Sequence, residues 1–208
     1  MYNEDLRFKG TVDIIVRGPD GKVKEHKTIR NKVTDKGLAH IVARLLEPDT
    51  DTNSVGTRPA RMRYMGLGTG TVAAAGSNTA LGTEVTGVSG SATGRIDMAP
   101  DAGVNAASSV DQVYQGKLVG GTLTADAQTS ATEGATAKTG TKLVFTALFN
   151  PGNPSTSNVA ITEAGIFNAD RPGVDQTMLC RTVFQPVNKG ENDSLQITWS
   201  ISLADATI

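Results

Sequence analysis

Apolar residues at alternate positions mark both ends of this chain. Near the start they fall at Leu6, Phe8, Val12, Ile14 and Val16, with Gly10 breaking the series in the way a bulge does. Gly18-Pro-Asp-Gly21 follows, a turn sequence, and the charged stretch Lys22 to Arg30 then alternates weakly, as a solvent-facing return strand would. The pattern predicts a hairpin. The period then changes to that of a helix: Leu38, Ile41, Val42, Leu45 and Leu46 recur at helical spacing, with Thr34 placed to cap the first turn, Asp35 favourably near the N-terminus and Pro48 ending the run. A lone amphipathic helix of this kind is expected to lay its apolar stripe on a sheet rather than show it to a partner.

A further strand is predicted over 61–67, running into Gly68-Thr-Gly70-Thr, and 72–80 reads as a short, poor helix or a loop. From Val85 to Thr139 Gly, Ala, Ser and Thr dominate, interrupted by Arg95-Ile-Asp-Met98 and by the run from Gln112 to Val119. Such residues bury little apolar surface, so the stretch is expected to be an extended arm or insertion, mobile in the free protein, whose two embedded strands pair with a neighbouring subunit. Four apolar or alternating runs close the chain: 141–149, 159–167, 176–184 and 194–203. In the last, Leu195, Ile197, Trp199, Ile201 and Leu203 alternate with polar residues and are predicted to share one buried face. The fold class this predicts is mainly β: an antiparallel β-sandwich or jelly-roll-like barrel with one amphipathic helix and a long Gly/Ala/Ser/Thr-rich extension, organised as a single domain over 1–208 with 85–139 as the arm.

Composition narrows the partners. Twenty basic and 21 acidic residues leave a formal charge of −1, so neither nucleic acid nor an anionic membrane is expected as a partner. The N-terminal residues lack a basic region followed by an apolar run, and no segment approaches the roughly eighteen apolar residues needed to span a bilayer, so neither secretion nor a membrane span is expected. Cys180 is the sole cysteine, which excludes an intrachain disulfide and fits assembly in a reducing cytoplasm.

Motifs with chemical meaning are few. Gly68-Thr-Gly70-Thr-Val-Ala73 matches a permissive dinucleotide fingerprint, but the helix it requires is interrupted at once by Ala75-Gly-Ser-Asn78, so a tight glycine turn is the simpler reading. Asp49-Thr-Asp-Thr-Asn53 alternates oxygen ligands like a calcium loop, yet Ala60 stands where a bidentate glutamate is required. His26 and His40 are the only histidines, expected on an exposed strand and a helix flank, and Cys180 is expected to be a small core residue. No catalytic residue, cofactor site or metal site is therefore assigned. Glu163 stands out, because Ile161-Thr-Glu-Ala-Gly-Ile-Phe167 sets a carboxylate in an apolar strand; Arg181 on the next strand is its expected partner in an inter-strand lock.

Three stretches carry a resemblance: Asn31 to Ala43; Met65 to Thr71 with Thr79-Ala-Leu-Gly-Thr-Glu84; and Ile161 to Asn168 with Leu179 to Phe184 and Ile197-Thr-Trp199. Together they resemble a group of tailed-bacteriophage virion proteins of fibre-like, baseplate-like or particle-surface kind, leaving 85–139 without a counterpart. The resemblance implies a non-enzymatic β-sandwich subunit working in many copies as a homo-oligomer, assembled in the host cytoplasm, located in the virion and bound to other virion proteins, either the major capsid protein or tail components. A capsid decoration or cement subunit ranks first, since neither a shaft repeat nor a separate tip is visible; a tail fibre, adaptor or baseplate subunit is the alternative. A small-ligand enzyme or carbohydrate-binding module is the rival class, and the placement of the single tryptophan, Trp199, in the core speaks against the latter.

Overall fold

The computed structural model describes residues 6–46, 62–85, 95–98, 113–119, 141–153, 157–170, 172–173 and 176–205. The alternating runs form strands and pair into two sheets. In chain order the elements are β1 (Leu6–Arg17), β2 (Val23–Arg30), β3 (Lys32–Val33), α1 (Asp35–Leu46), β4 (Tyr64–Gly68), β5 (Ile96–Asp97), β6 (Val113–Val119), β7 (Thr141–Phe149), β8 (Val159–Phe167), β9 (Met178–Lys189) and β10 (Ser194–Asp205). The first sheet has the order β2-β1-β10-β7-β6 and the second β3-β9-β8-β4-β5, five strands each. Every pairing between named strands is antiparallel. The two sheets share one core in a sandwich-like arrangement, and both remain open, so the barrel alternative does not apply.

The predicted hairpin is β1–β2, its turn closed by Gly21 N–H donating to the Gly18 carbonyl at 2.9 Å. Period two then decides what lies between the sheets. Val12, Ile14 and Val16 of β1, Phe145, Ala147 and Phe149 of β7, and Leu195, Ile197, Trp199 and Ile201 of β10 are all buried. They meet Met65 and Leu67 of β4, Ala164 and Ile166 of β8, and Cys180 and Val187 of β9. Leu203 pairs across β10 with Phe8 and Thr141, and its side chain lies outside the described residues. Burial pushes the Cys180 thiol well above its ordinary value, in keeping with a core role.

At one side the chain passes directly from β2 in the first sheet to β3 in the second, and side chains close the seam. The Lys27 ammonium donates to the carbonyls of Gln185 and Pro186 at 3.1 and 2.8 Å, and the Thr182 hydroxyl donates to the Arg30 carbonyl at 3.1 Å. Pro186 falls where the β8–β9 register slips between Ile161 and Glu163, a bulge in which a missing N–H costs least.

Two expectations need correction. The segments Ile96–Asp97 and Val113–Val119 are not left for a neighbour: they pair with β4 and β7 and form edges of the chain's own sheets, with Arg95, Ile96 and Met98 buried. The remaining positions of the 85–139 stretch, 86–94, 99–112 and 120–139, lie outside the described residues, and so does the calcium-like run 49–53. The helix is also turned from its expected face. Thr34 caps it as anticipated, accepting from the Gly37 N–H at 2.9 Å. Gly37 then sits so close to β9 that a Cβ there would come within 2.3 Å of the Leu179 carbonyl oxygen. Seating the helix on bare backbone brings Gly37, His40 and Ile41 inward and leaves Leu38 and Val42 exposed.

Trp199 is fully buried, and its indole N–H meets no acceptor. Trp199→Ala is therefore expected to destabilise the fold by about 3–5 kcal/mol. Trp199→Phe is expected to cost clearly less, because it keeps most of the apolar contact and removes an unpaired donor. Chemical denaturation of the two variants checks the ordering.

Candidate functional site

The strongest polar constellation lies on the outer face of the second sheet. Across β4, β8 and β9 the register sets Gly68, Glu163 and Val183 in one row and Gly66, Gly165 and Arg181 in the next, on the face away from Met65, Ala164 and Ile166. In an open sandwich this face would meet water, yet Glu163 is 0% exposed. The chain between β4 and Val85 covers it as a loop. That loop begins and ends as a short two-stranded ladder: Thr69 N–H donates to the Thr83 carbonyl, Val85 N–H to the Leu67 carbonyl, and Gly68 bridges Glu84.

The loop is organised around the carboxylate. Glu163 Oε1 accepts the backbone N–H groups of Gly70 and Thr83 at 2.9 and 2.8 Å, and Oε2 accepts that of Gly82 at 3.0 Å. Arg181 completes the set, with Nε and Nη2 both donating to Oε2 at 2.9 and 2.6 Å. Its Nη1 reaches back to the loop through Asn78 Oδ1 at 3.0 Å. The Thr162 hydroxyl adds a bond to the Gly70 carbonyl at 2.9 Å. A Cβ at Gly68 or Gly70 would lie 2.5 or 2.4 Å from Glu163 Oε1, so the carboxylate can enter only because those positions lack side chains.

A second pair anchors the far side. Arg95 Nε and Nη2 donate to the two oxygens of Glu84 at 2.6 and 2.8 Å; Nη2 also reaches Gln176 Oε1, and Nη1 the Ala169 carbonyl. The guanidinium lies 3.7 Å from the Phe167 ring centroid, and Phe167 packs with Leu81 and Met178 into a small apolar cluster beneath the loop. The loop also meets the helix: Asp35 N–H donates to the Gly76 carbonyl at 2.8 Å.

Glu163 and Arg181, paired from the sequence, are thus brought together as an inter-strand lock. Two features escaped the sequence: Glu84–Arg95, and the identity of what the glycine loop holds. A lone arginine in a weakly charged stretch was the available signal for the first. For the second, the fingerprint-like Gly68-Thr-Gly70 is an anion cradle whose anion is the chain's own carboxylate, and 72–80 is loop rather than helix. His26 is exposed and lies 3.7 Å from Asp13, whereas His40 is buried on the helix and not without a partner. Neither stands near Glu163 in any described contact. Among the described residues no group of His, Cys, Asp and Glu is arranged to hold a metal, and no helix is long and apolar enough to cross a membrane.

Chemically the arrangement fixes Glu163 as an anion. Burial alone would raise its pKa, but the amides of Thr83 and Gly82, Arg181 and the amide of Gly70 outweigh that and hold it below the ordinary value. With five donors on two oxygens, the carboxylate is committed to the loop and to β9. Comparison with protein-family models, curated proteins and solved structures finds no match, so the reading of this face rests on its own geometry and on the sequence.

Glu163→Gln strands Arg181 in a buried site and is expected to destabilise by about 3–5 kcal/mol, with Glu163→Gln/Arg181→Met recovering part of the loss; denaturant titration of both checks this. The pH dependence follows in sign. A depressed folded-state pKa means the carboxylate stabilises fully above the unfolded-state value, near 4.5, and the contribution is lost as pH falls through the lower folded value. Stability measured from about pH 7 down to about pH 3 should fall at the acid end, and Glu163→Gln should flatten that slope.

Proposed function

We propose that this chain is a non-enzymatic structural subunit of a tailed-bacteriophage virion, a capsid decoration or cement protein that packs against neighbouring capsid proteins in many copies. The observation that carries the reading is the layer over the second sheet. Of the four exposed large hydrophobics among the described residues, three belong to the loop and the helix that touches it: Leu38, Val42 and, 74% exposed, Val72. Behind them stand two buried ion pairs and the bond from Asp35 to Gly76. Apolar side chains held out on a fixed backbone are what a protein-binding face requires, because little ordering entropy remains to be lost when the partner arrives.

The resemblance of the strand and turn sequences to virion proteins supports the setting. Glu163 and Arg181 add to it from the chemistry: each is consumed by internal bonding, which suits a scaffold better than a site that must release protons. A tail fibre, adaptor or baseplate subunit would use the same face, and location on the particle separates the two.

Electron microscopy of particles from the phage encoding the chain is expected to place its density on the head lattice. Density on the tail would favour the alternative, and absence from purified particles would overturn the structural reading. Val72→Asp, alone or with Val42→Asp, is expected to weaken particle association about tenfold or more while stability changes by no more than about 0.5 kcal/mol. Co-sedimentation with particles and thermal unfolding measure the two effects.

A further inference from the structure

The loop over the second sheet and the sandwich beneath it are held by different forces. Between Thr69 and Glu84 Leu81 is the one buried apolar side chain, and Gly82 and Thr83 lie at the surface. The two sheets, by contrast, meet through a continuous apolar core. What fixes the loop is polar. Three of its N–H groups end on Glu163, the Thr162 hydroxyl holds its Gly70 carbonyl, and Arg181 reaches its Asn78. Gln176 Nε2 donates to the Thr79 carbonyl at 3.3 Å, and the Asp35 N–H meets the Gly76 carbonyl.

One proton on Glu163 changes the balance of this layer. The acceptor of five donors becomes a neutral acid, and the Arg181 guanidinium, 2% exposed, is left without its counter-ion. The other charged groups facing the loop do not replace it: Glu84 is engaged by Arg95, and Asp35 of α1 faces Gly76 rather than the carboxylate. Lifting the loop lets water reach both the acid and the guanidinium. It gives up the burial of Leu81 and hydrogen bonds that water can replace, whereas unfolding the sandwich gives up the whole core. The local opening therefore comes first.

We propose that the loop from Thr69 to Glu84 is an acid-released latch: protonation of Glu163 lifts it from the second sheet while the sandwich stays folded. The sign follows from linkage. Burial opposes the charged form, but the amides of Thr83 and Gly82, Arg181 and the amide of Gly70 hold the closed-state pKa below the ordinary 4.5. Closure is fully favoured above that value and weakens as pH falls through the lower one. That acid also releases a docked neighbour, through the loss of the Val72 surface, rests on the structural-subunit reading; the latch itself does not.

The test is amide hydrogen exchange on the full chain, read by NMR from about pH 7 to about pH 3 and corrected for intrinsic exchange rates. The Gly70, Gly82 and Thr83 amides report on the loop, and those of Ile14 and Ile197 on the core. As pH falls, the loop amides are expected to lose about tenfold or more protection beyond any loss in the core. Loss at all five together, or loop amides still protected when the core amides begin to exchange, would overturn the latch. Glu163→Gln/Arg181→Met removes both the titrating group and the charge it neutralises, so loop protection in it should no longer change with pH. The same acid transition in that variant would assign the release to Glu84 or Asp35 and overturn the role of Glu163. The wild-type titration decides the latch even where the variant does not fold. Co-sedimentation with particles over the same pH range reads the second step: release alongside loop opening supports it, and retention with an open loop overturns the link to docking alone. Because the exchange measurement uses no particles, its failure and a failure of particle association are separate results.

Discussion

A carboxylate placed in the middle of a sheet must find donors or be expelled, and the placement of Glu163 decides how the second sheet is finished. Water would ordinarily serve an outward-facing glutamate. Here three backbone N–H groups and a guanidinium take its place. Those N–H groups belong to a loop with little apolar content of its own, which would otherwise have to meet the entropy of ordering almost unaided. Charge-assisted bonds, roughly twice as strong as neutral ones, fix the loop where hydrophobic burial could not. The glycines at 68 and 70 follow from the same constraint, since the carboxylate passes where their Cβ atoms would be.

From this centre the layer spreads in two directions. Toward α1, the Gly76 carbonyl receives the first amide of the helix, and Thr34 both caps that helix and donates to the Met178 carbonyl of β9. Toward β5, Glu84 at the end of the loop takes Arg95, whose guanidinium covers Phe167. Both ion pairs tie separate elements together, at separations of 11 and 18 residues, and both are buried. Such pairs are weak as a source of net stability and costly to break, so their effect is to make one arrangement of the layer much better than its neighbours.

How much of this was legible depended on the range of the interaction. Alternation reports the two faces of a strand within a few residues, so β1, β2, β7, β8 and β10 could be read as strands, and the apolar positions of β1 and the buried face of β10, Trp199 included, with them. The helix was legible in position but not in orientation, because Gly37 against the Leu179 backbone outweighed the apolar stripe. Glu163 and Arg181 could be paired because they stand on consecutive strands. The amide donors to Glu163 lie about eighty to ninety positions earlier, and no local pattern announces that a glycine loop will fold back on a distant carboxylate. The strands β5 and β6 were misassigned in partner for a related reason: short runs within a small-residue stretch carry no record of which edge they will join.

The fingerprint-like glycine loop shows why local chemistry underdetermines use. A dinucleotide site and this lock share a tight glycine turn with backbone N–H groups aimed at an anion. They differ in who supplies it. When the ligand supplies the anion, the loop must hold its shape while empty, which usually falls to a helix starting immediately behind it. Here Thr71 to Ala80 forms no helix, and the strand beneath supplies the anion instead. The loop therefore cannot exchange its guest without losing its own fold. What it can offer to another molecule is the outer surface that the guest holds in place, with Val72 carried on it.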